Sequence, residues 1–132
     1  MAELYRIILP VGNIERAQDF YEAVFQENGE RVSAGRHYLD CGTTILALYD
    51  PVADGDRVDE GWRFHAKQYL CFSVKDLETY ERRFEDAGGI ITETIARQPW
   101  GERMFYGLDP FNNPMSFVDE TTVFRGNAAS ER

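Results

Sequence analysis

Few side chains in this 132-residue chain have the types and spacings that catalysis or metal binding requires. Its two histidines, His37 and His65, share no HxH or HxxxH spacing, and its two cysteines, Cys41 and Cys71, share no CxxC spacing. No serine or cysteine belongs to a recognisable nucleophile–histidine motif, and the chain has no P-loop and no GxGxxG. The sequence therefore predicts no catalytic residue and no metal centre. We interpret each histidine as a surface or hydrogen-bonded residue and each cysteine as a buried free thiol.

Acidic side chains dominate the charge of the chain, which has 14 basic and 23 acidic residues and a formal net charge of −9. Nucleic acids and anionic membranes attract basic surfaces, so neither is a predicted partner. Residues 50–60 alone hold five acids and one base. Within them Asp54-Gly55-Asp56 resembles the start of a calcium loop, but the glutamate that an EF-hand carries at its twelfth position is missing. We interpret this segment as a solvated loop.

Two segments of the chain share one pattern, and an offset of 63 residues aligns Val11 with Val74 and Asn13 with Asp76. Self-similarity on this scale indicates a repeated structural unit. Each segment begins with an alternating apolar run that predicts a strand. The Asn or Asp that follows is a typical helix N-cap, because its side-chain oxygen accepts a hydrogen bond from a free N–H of the first turn.

Apolar residues at helical spacing follow each N-cap and predict one helix per segment. The first helix is expected to end near 27–29 and the second at Gly88-Gly89. The hydrophobic period then changes to two, which predicts three more strands in each segment. They are expected at 30–34, 37–41 and 44–49 in the first segment and at 90–97, 103–108 and 114–119 in the second.

Each segment is therefore a βαβββ module, and the predicted fold class is α+β. One helix covers only one face of a four-stranded sheet, so the other face must meet a second module or a ligand. We expect one domain at 1–124, with module one at 3–50, a linker at 51–67 and module two at 68–124. The small, polar residues 125–132 are expected to form a flexible tail.

Three stretches carry a resemblance to a known family: 11–21, 74–77 and 99–114. The last is similar to the family signature W-G-x-R…D-P-x-G-N, with Asn112 where Gly is usual, and asparagine tolerates a positive φ. With these stretches in this order along the chain, the paired modules resemble the vicinal oxygen chelate superfamily. It includes glyoxalase I, extradiol dioxygenases, fosfomycin-resistance enzymes and bleomycin-resistance proteins. The resemblance implies that each module wraps its mixed sheet into a cup, with the helices on the outer face.

Metal enzymes of this superfamily place their ligands on the first and last strands of each module. The resemblance carries those positions onto Arg6, Ala47, Tyr69 and Ser116. Arginine only donates hydrogen bonds, alanine has no donor atom, and tyrosine and serine are poor ligands for divalent metals. The usual ligand set is therefore predicted to be absent. In this respect the chain is closest in character to the metal-free, bleomycin-resistance-like members.

Strand alternation then assigns the lining of the cup, because residues two apart share one face of a strand. If Arg6 faces the cup, so does Ile8, and Tyr69 and Ser116 add polar groups to an apolar wall. Arg6 needs a partner for its charge. That partner is either an anionic group of a ligand, an acid of a neighbouring strand, or a second chain.

Aromatic residues flank the expected cup in two probable loops, which contain Trp62 with Phe64 and Trp100 with Arg103. In bleomycin-resistance-like members the equivalent segments border a cavity for a flat, cationic ligand, which suits stacking and cation–π attraction. The alternative is structural: Trp100 packs under the β-turn and Phe64 fills a subunit interface. Both interpretations remain open from the sequence.

Three functions are consistent with these features. The first is a metal-independent small-molecule binding protein without a cofactor, whose predicted ligand-binding residues are Arg6, Tyr69, Ser116, Trp100, Arg103, Trp62 and Phe64. The second is a metal-dependent isomerase, lyase or dioxygenase with a non-standard ligand set. The third is a partner module whose own side chains fill the cup. The resemblance and the need to cover sheet edges also predict a cytoplasmic homodimer that binds a cationic or aromatic ligand.

Overall fold

Two four-stranded sheets and two helices form the part of the chain that this computed structural model describes, residues 2–57 and 68–124. The elements are β1 (Arg6–Pro10), α1 (Ile14–Phe25), β2 (Glu30–Ser33), β3 (Arg36–Cys41), β4 (Thr44–Tyr49), β5 (Leu70–Val74), α2 (Leu77–Asp86), β6 (Ile90–Arg97), β7 (Arg103–Leu108) and β8 (Pro114–Asp119). The predicted α+β fold with two βαβββ modules is confirmed. The expected tail 125–132 and linker positions 58–67 lie outside the described residues.

The two sheets have the same topology. The first has the strand order β1-β4-β3-β2 and the second the order β5-β8-β7-β6. In each sheet the first and last strands of the module pair in parallel, and the remaining pairs are antiparallel. The repeat seen in the sequence is therefore a repeat of strand order and direction.

Both helices begin where their N-caps were predicted. The side chain of Asn13 accepts a hydrogen bond from the Arg16 N–H at 3.0 Å, and that of Asp76 accepts one from the Thr79 N–H at 3.3 Å. Helix α1 ends slightly earlier than expected, because Gln26 adopts the left-handed conformation with φ 56°. Helix α2 ends at Asp86, just before the left-handed Gly88.

The helices cover one face of their sheets, and the two covered faces share one apolar core. Helix α1 reaches the second module through aromatic contacts. The ring centroids of Phe20 and Phe84 lie 5.4 Å apart, and those of Phe25 and Phe72 lie 5.1 Å apart. The modules therefore join through their helix sides, and the opposite sheet faces do not form this core.

A buried carboxylate fastens the modules to each other. The Tyr21 hydroxyl of α1 donates to Asp109 of the second module at 2.6 Å, and Asn113 Nδ2 donates to the Pro10 carbonyl at 2.9 Å. Asp109 also accepts hydrogen bonds from the backbone N–H groups of Phe111 and Asn113. Burial, and then the negative charge of Asp109, raise the pKa of Tyr21 well above its usual value, which keeps the phenol a donor.

The interpretation of the acidic segment as a solvated loop is wrong for Asp54. Its side chain is only 6% exposed and accepts hydrogen bonds from Ser33 Oγ and the Gly35 N–H, at 2.9 and 2.6 Å. Arg36 also contacts the Asp54 carboxylate. These bonds hold the start of the linker against the β2–β3 turn. The Asp54 carboxylate therefore stabilises the fold.

Replacing Tyr21 with Phe is expected to lower the free energy of unfolding by about 1.5–3 kcal/mol, the usual contribution of a buried hydrogen bond to a charged group. Urea denaturation measures this change. The control is Tyr5→Phe, which removes the hydroxyl of a tyrosine that is 63% exposed, and should shift stability by less than about 0.5 kcal/mol. Equal effects of the two substitutions would contradict the role assigned to the Tyr21–Asp109 bond.

Candidate functional site: the two cup faces

We call the sheet face opposite the helix in each module its cup face. Residues that pair across a sheet point their side chains to the same face, so the strand register defines these faces. The cup face of module one contains Arg6, Ile8, Arg36, Tyr38, Ala47 and Tyr49, and the register adds Ile45 and the acids Glu30 and Asp40. The cup face of module two contains Tyr69, Cys71, Met104, Tyr106, Ser116 and Val118. The alternation predicted from the sequence therefore places Arg6, Tyr69 and Ser116 on cup faces.

A cavity of about 340 Å³ lies on the cup face of module one. At one side of it Arg6 donates to the Tyr38 hydroxyl at 3.2 Å. The guanidinium carbon lies 5.7 Å from the Tyr38 ring centroid and 5.2 Å from that of Tyr5. Among residues 2–57 and 68–124, Arg6 forms no ion pair. Of the partners considered for its charge, an acid of a neighbouring strand is thus not found in the described chain.

Arg36, the second cation of this cavity, is neutralised within the module. It pairs with Asp54 and lies 3.7 Å from Asp56. Its guanidinium carbon also lies 4.4 Å from the Tyr49 ring centroid, and the Tyr49 hydroxyl donates to Asp56. Arg36 therefore belongs to an ion-pair cluster, whereas Arg6 does not.

The cup face of module two carries neutral polar groups. Ser116 Oγ donates to Cys71 Sγ at 3.0 Å, and the Tyr69 and Tyr106 rings meet edge to face at 5.3 Å. Burial is the main cause that raises the pKa of Tyr106, and the charge of Glu93 adds to it. The interpretation of both cysteines as buried is wrong for Cys71, which is exposed because this sheet face is open, and Cys41 is only half-buried.

Arg103 and Trp100 do not line the cavity beside Arg6. Arg103 is on the helix side of β7, where it pairs with Glu78 at the start of α2 and with Asp119 at 3.2 Å. Trp100 is 61% exposed in the β6–β7 connection, and its Nε1–H donates to Glu102 at 2.8 Å. It is therefore not packed under the turn. The structure does not bring either residue to the cavity beside Arg6.

The aromatic residues Trp62 and Phe64, which the sequence nominates for ligand binding, lie outside the described residues. The same holds for His65.

The residues at the four expected ligand positions do not fit a divalent metal. Ala47 offers no donor atom, Arg6 offers only N–H donors, and Ser116 is engaged with Cys71. His37 lies on the helix side, where its Nε2 is 2.8 Å from Glu22 and its Nδ1 accepts from Arg31 at 3.4 Å. Within the described part of the chain, no three His, Cys, Asp or Glu residues are grouped as a metal site requires.

A second, larger space of about 690 Å³ lies between the modules and reaches the cup-face residues Tyr69 and Cys71 of β5. The helix-side residues Ile7 and Phe25 and the acids Glu27 and Asp40 also line it. Burial, followed by the charges of these two acids, raises the pKa of Cys41 to about 11. The thiol in this crevice therefore stays protonated at neutral pH.

The sequence analysis missed Tyr38 and Tyr106, which occupy equivalent positions in the two modules. Tyr38 pairs in register with Ala47, and Tyr106 pairs with Ser116. The period of two in β3 and β7 carried this signal, because it fixes which side chains of the third strand share the face of the fourth. From the sequence, only the first and last strands of each module are assigned to the cup.

The chain belongs to the Glyoxalase/Bleomycin resistance protein/Dioxygenase superfamily, whose family model matches residues 4–117. No curated protein matches the chain. Among the residues described, no helix is long and apolar enough to cross a membrane.

Solved structures of low sequence identity share the fold. A glyoxalase-related enzyme from Fulvimarina pelagi has a TM-score of 0.73 and 16% identity, over 90% of this chain and 88% of its own. Lactoylglutathione lyase from Agrobacterium tumefaciens has a TM-score of 0.67 and 21% identity, over 94% and 98%. TioX from Micromonospora sp. ML1 has a TM-score of 0.71 and 20% identity, over 90% and 99%. At these identities the likeness shows the fold alone.

Replacing Arg103 with Gln is expected to flatten the pH dependence of stability between pH 7 and about pH 3. Arg103 lowers the pKa of Glu78, and the Asp119 pKa is lowered first by Thr121 and then by Arg103. Carboxylates with lowered pKa values stabilise the fold at neutral pH, and this contribution disappears as the pH falls through the folded pKa.

Urea midpoints measured across this pH range test the effect. The control is Arg16→Gln, which removes the same charge from an exposed position of α1. If both variants lose as much stability on acidification as the unmodified protein, the ion pairs of Arg103 do not act as described.

Proposed function

We propose that this protein is a metal-independent small-molecule binding protein of the glyoxalase/bleomycin-resistance type, which holds its ligand against the cup faces. The observation that carries the proposal is the residue set at the four family ligand positions, Arg6, Ala47, Tyr69 and Ser116. This set replaces metal donors by one cation, two neutral hydrogen-bonding groups and a small apolar residue. Small-molecule sites have this composition, with apolar walls and a few placed polar groups.

The geometry of module one supports this proposal. Ile8 and Ala47 provide an apolar floor, Tyr38 and Tyr49 provide aromatic walls, and Arg6 provides a charge with no ionic partner among the described residues. Binding of a ligand there involves no catalytic step. Apolar burial and a few charge-assisted hydrogen bonds supply its affinity.

The cup closes, in this proposal, when two chains pair. Each module leaves its cup face open, and Ile8 and Tyr69 are 51% and 41% exposed on them. In the described residues, the edge strands β1 and β5 each pair with one strand only. A two-fold dimer that sets module one of one chain against module two of the other would cover these faces and edges and build two cups.

The alternative is a metal-dependent isomerase, lyase or dioxygenase with a non-standard ligand set. It is favoured by the similarity to solved structures, one of which is described as a lactoylglutathione lyase. Any histidine ligand of that metal would be His37 or His65, since the chain has no other histidine.

Elemental analysis of the purified protein separates the two functions. The proposal predicts substoichiometric Zn, Fe, Mn and Ni, and an unchanged melting temperature after dialysis against a chelator. Stoichiometric metal that is lost in His65→Ala, or in His37→Gln, would contradict the proposal and support the enzyme. His37→Gln is used because alanine would leave Glu22 without its buried partner.

The dimer is tested by Ile8→Lys, which places a second cation beside Arg6 on the cup face of β1. Light scattering is expected to give a dimer mass for the unmodified protein and a monomer mass for this variant, because burying a lysine without a partner opposes association. The control is Val52→Lys, the same type of change at a site that is 69% exposed in the start of the linker. A monomer mass for the unmodified protein would reject the paired cup.

A further inference from the structure

The charge of the ligand follows from the two arginines of the module one cavity. Arg36 is paired with Asp54 and lies close to Asp56, so its charge is satisfied within the module. Arg6 forms no ion pair with any described residue, although the strand register places Glu30 and Asp40 on the same cup face. Of the two cavity arginines, Arg6 is therefore the one whose guanidinium has no carboxylate in contact among the described residues.

Arg6 has donors available for a ligand. Its Nη1 donates to the Tyr38 hydroxyl at 3.2 Å, and its guanidinium lies beside the rings of Tyr5 and Tyr38. A guanidinium has five N–H donors in a planar fork, and this hydrogen bond uses one of them. The remaining donors can pair side by side with a carboxylate.

The rest of the cavity suits a flat aromatic group. Ile8 and Ala47 are the apolar residues of its lining and Tyr38 and Tyr49 add two aromatic rings, and the volume of about 340 Å³ is at the small end of ligand pockets. A ring packed against a tyrosine gains both apolar burial and favourable ring geometry. A cationic group placed directly against the Arg6 guanidinium would be repelled.

We propose that this cup face selects a planar aromatic ligand that carries a carboxylate, with Arg6 as the anion anchor and Tyr38 as its positioning residue. The inference rests on the binding function proposed above and names its ligand class. It replaces the cationic ligand expected from the acidic composition, because the acids of the linker neutralise Arg36 and leave Arg6 free to bind an anion.

A competing partner for Arg6 is a carboxylate of a second copy of the chain. Glu93 is a candidate, because it pairs in register with Tyr106 on the cup face of module two. An ion pair across a closed cup would use Arg6 for association and leave no anchor for an anion. The experiment must therefore distinguish a ligand anchor from an interface residue.

Three probes of one shape and different charge test the selection: 2-naphthoate, 2-naphthamide and 2-naphthamidine. Titration calorimetry on the unmodified protein is expected to show naphthoate binding at least about tenfold more tightly than the amide, with the amidine weakest. Arg6→Met keeps the length of the side chain and removes its charge, so the naphthoate preference should disappear. Arg16→Met removes the same charge from an exposed helix position and should keep the preference.

Each other result has a defined meaning. If all three probes bind the unmodified protein equally, anion selection is overturned and the binding function stands. If none of them binds, both the selection and the binding function of this face are contradicted. If Arg6→Met and Glu93→Gln each weaken the dimer and leave the probe order unchanged, Arg6 is an interface residue and the proposal is overturned.

Discussion

One helix per four-stranded sheet is the constraint on which this structure depends. Each βαβββ module can cover only one face of its sheet, and the chain solves half of that problem by packing the two covered faces into one core. Helix α1 provides the contact through Phe20 and Phe25, and the Tyr21–Asp109 bond fixes the modules together. Within the described chain the opposite faces stay uncovered, which is why the proposed binding site is placed there.

Most of the fold could be predicted from the sequence because its signals are local. The change of hydrophobic period from 3.6 to two marks each passage from helix to strands, and Asn13 and Asp76 mark the helix starts. The left-handed conformation expected of Asn112 is present, with φ 66°. The end of α1 was less accurate, since the left-handed Gln26 is not a typical helix stop.

The site was less predictable because its pairings are not local. Arg103 belongs to a family signature, yet its charge is used by Glu78 and Asp119, which are 25 and 16 residues away in the chain. The sequence predicts a solvated Asp54, because nothing in it shows that Arg36 and Ser33 contact this side chain. Strand alternation placed Arg6, Tyr69 and Ser116 on a common type of face, but whether an acid meets Arg6 depends on tertiary packing.

Diffraction data from crystals of the purified protein test most directly whether the cup holds a ligand without a metal. Data collected at the absorption edges of Zn, Fe, Mn and Ni locate any such metal. We expect no anomalous peak beside Arg6, Ala47, Tyr69 or Ser116, and we expect a molecule bound in the cup to contact the Arg6 guanidinium. An anomalous peak coordinated by residues of a cup face would contradict it.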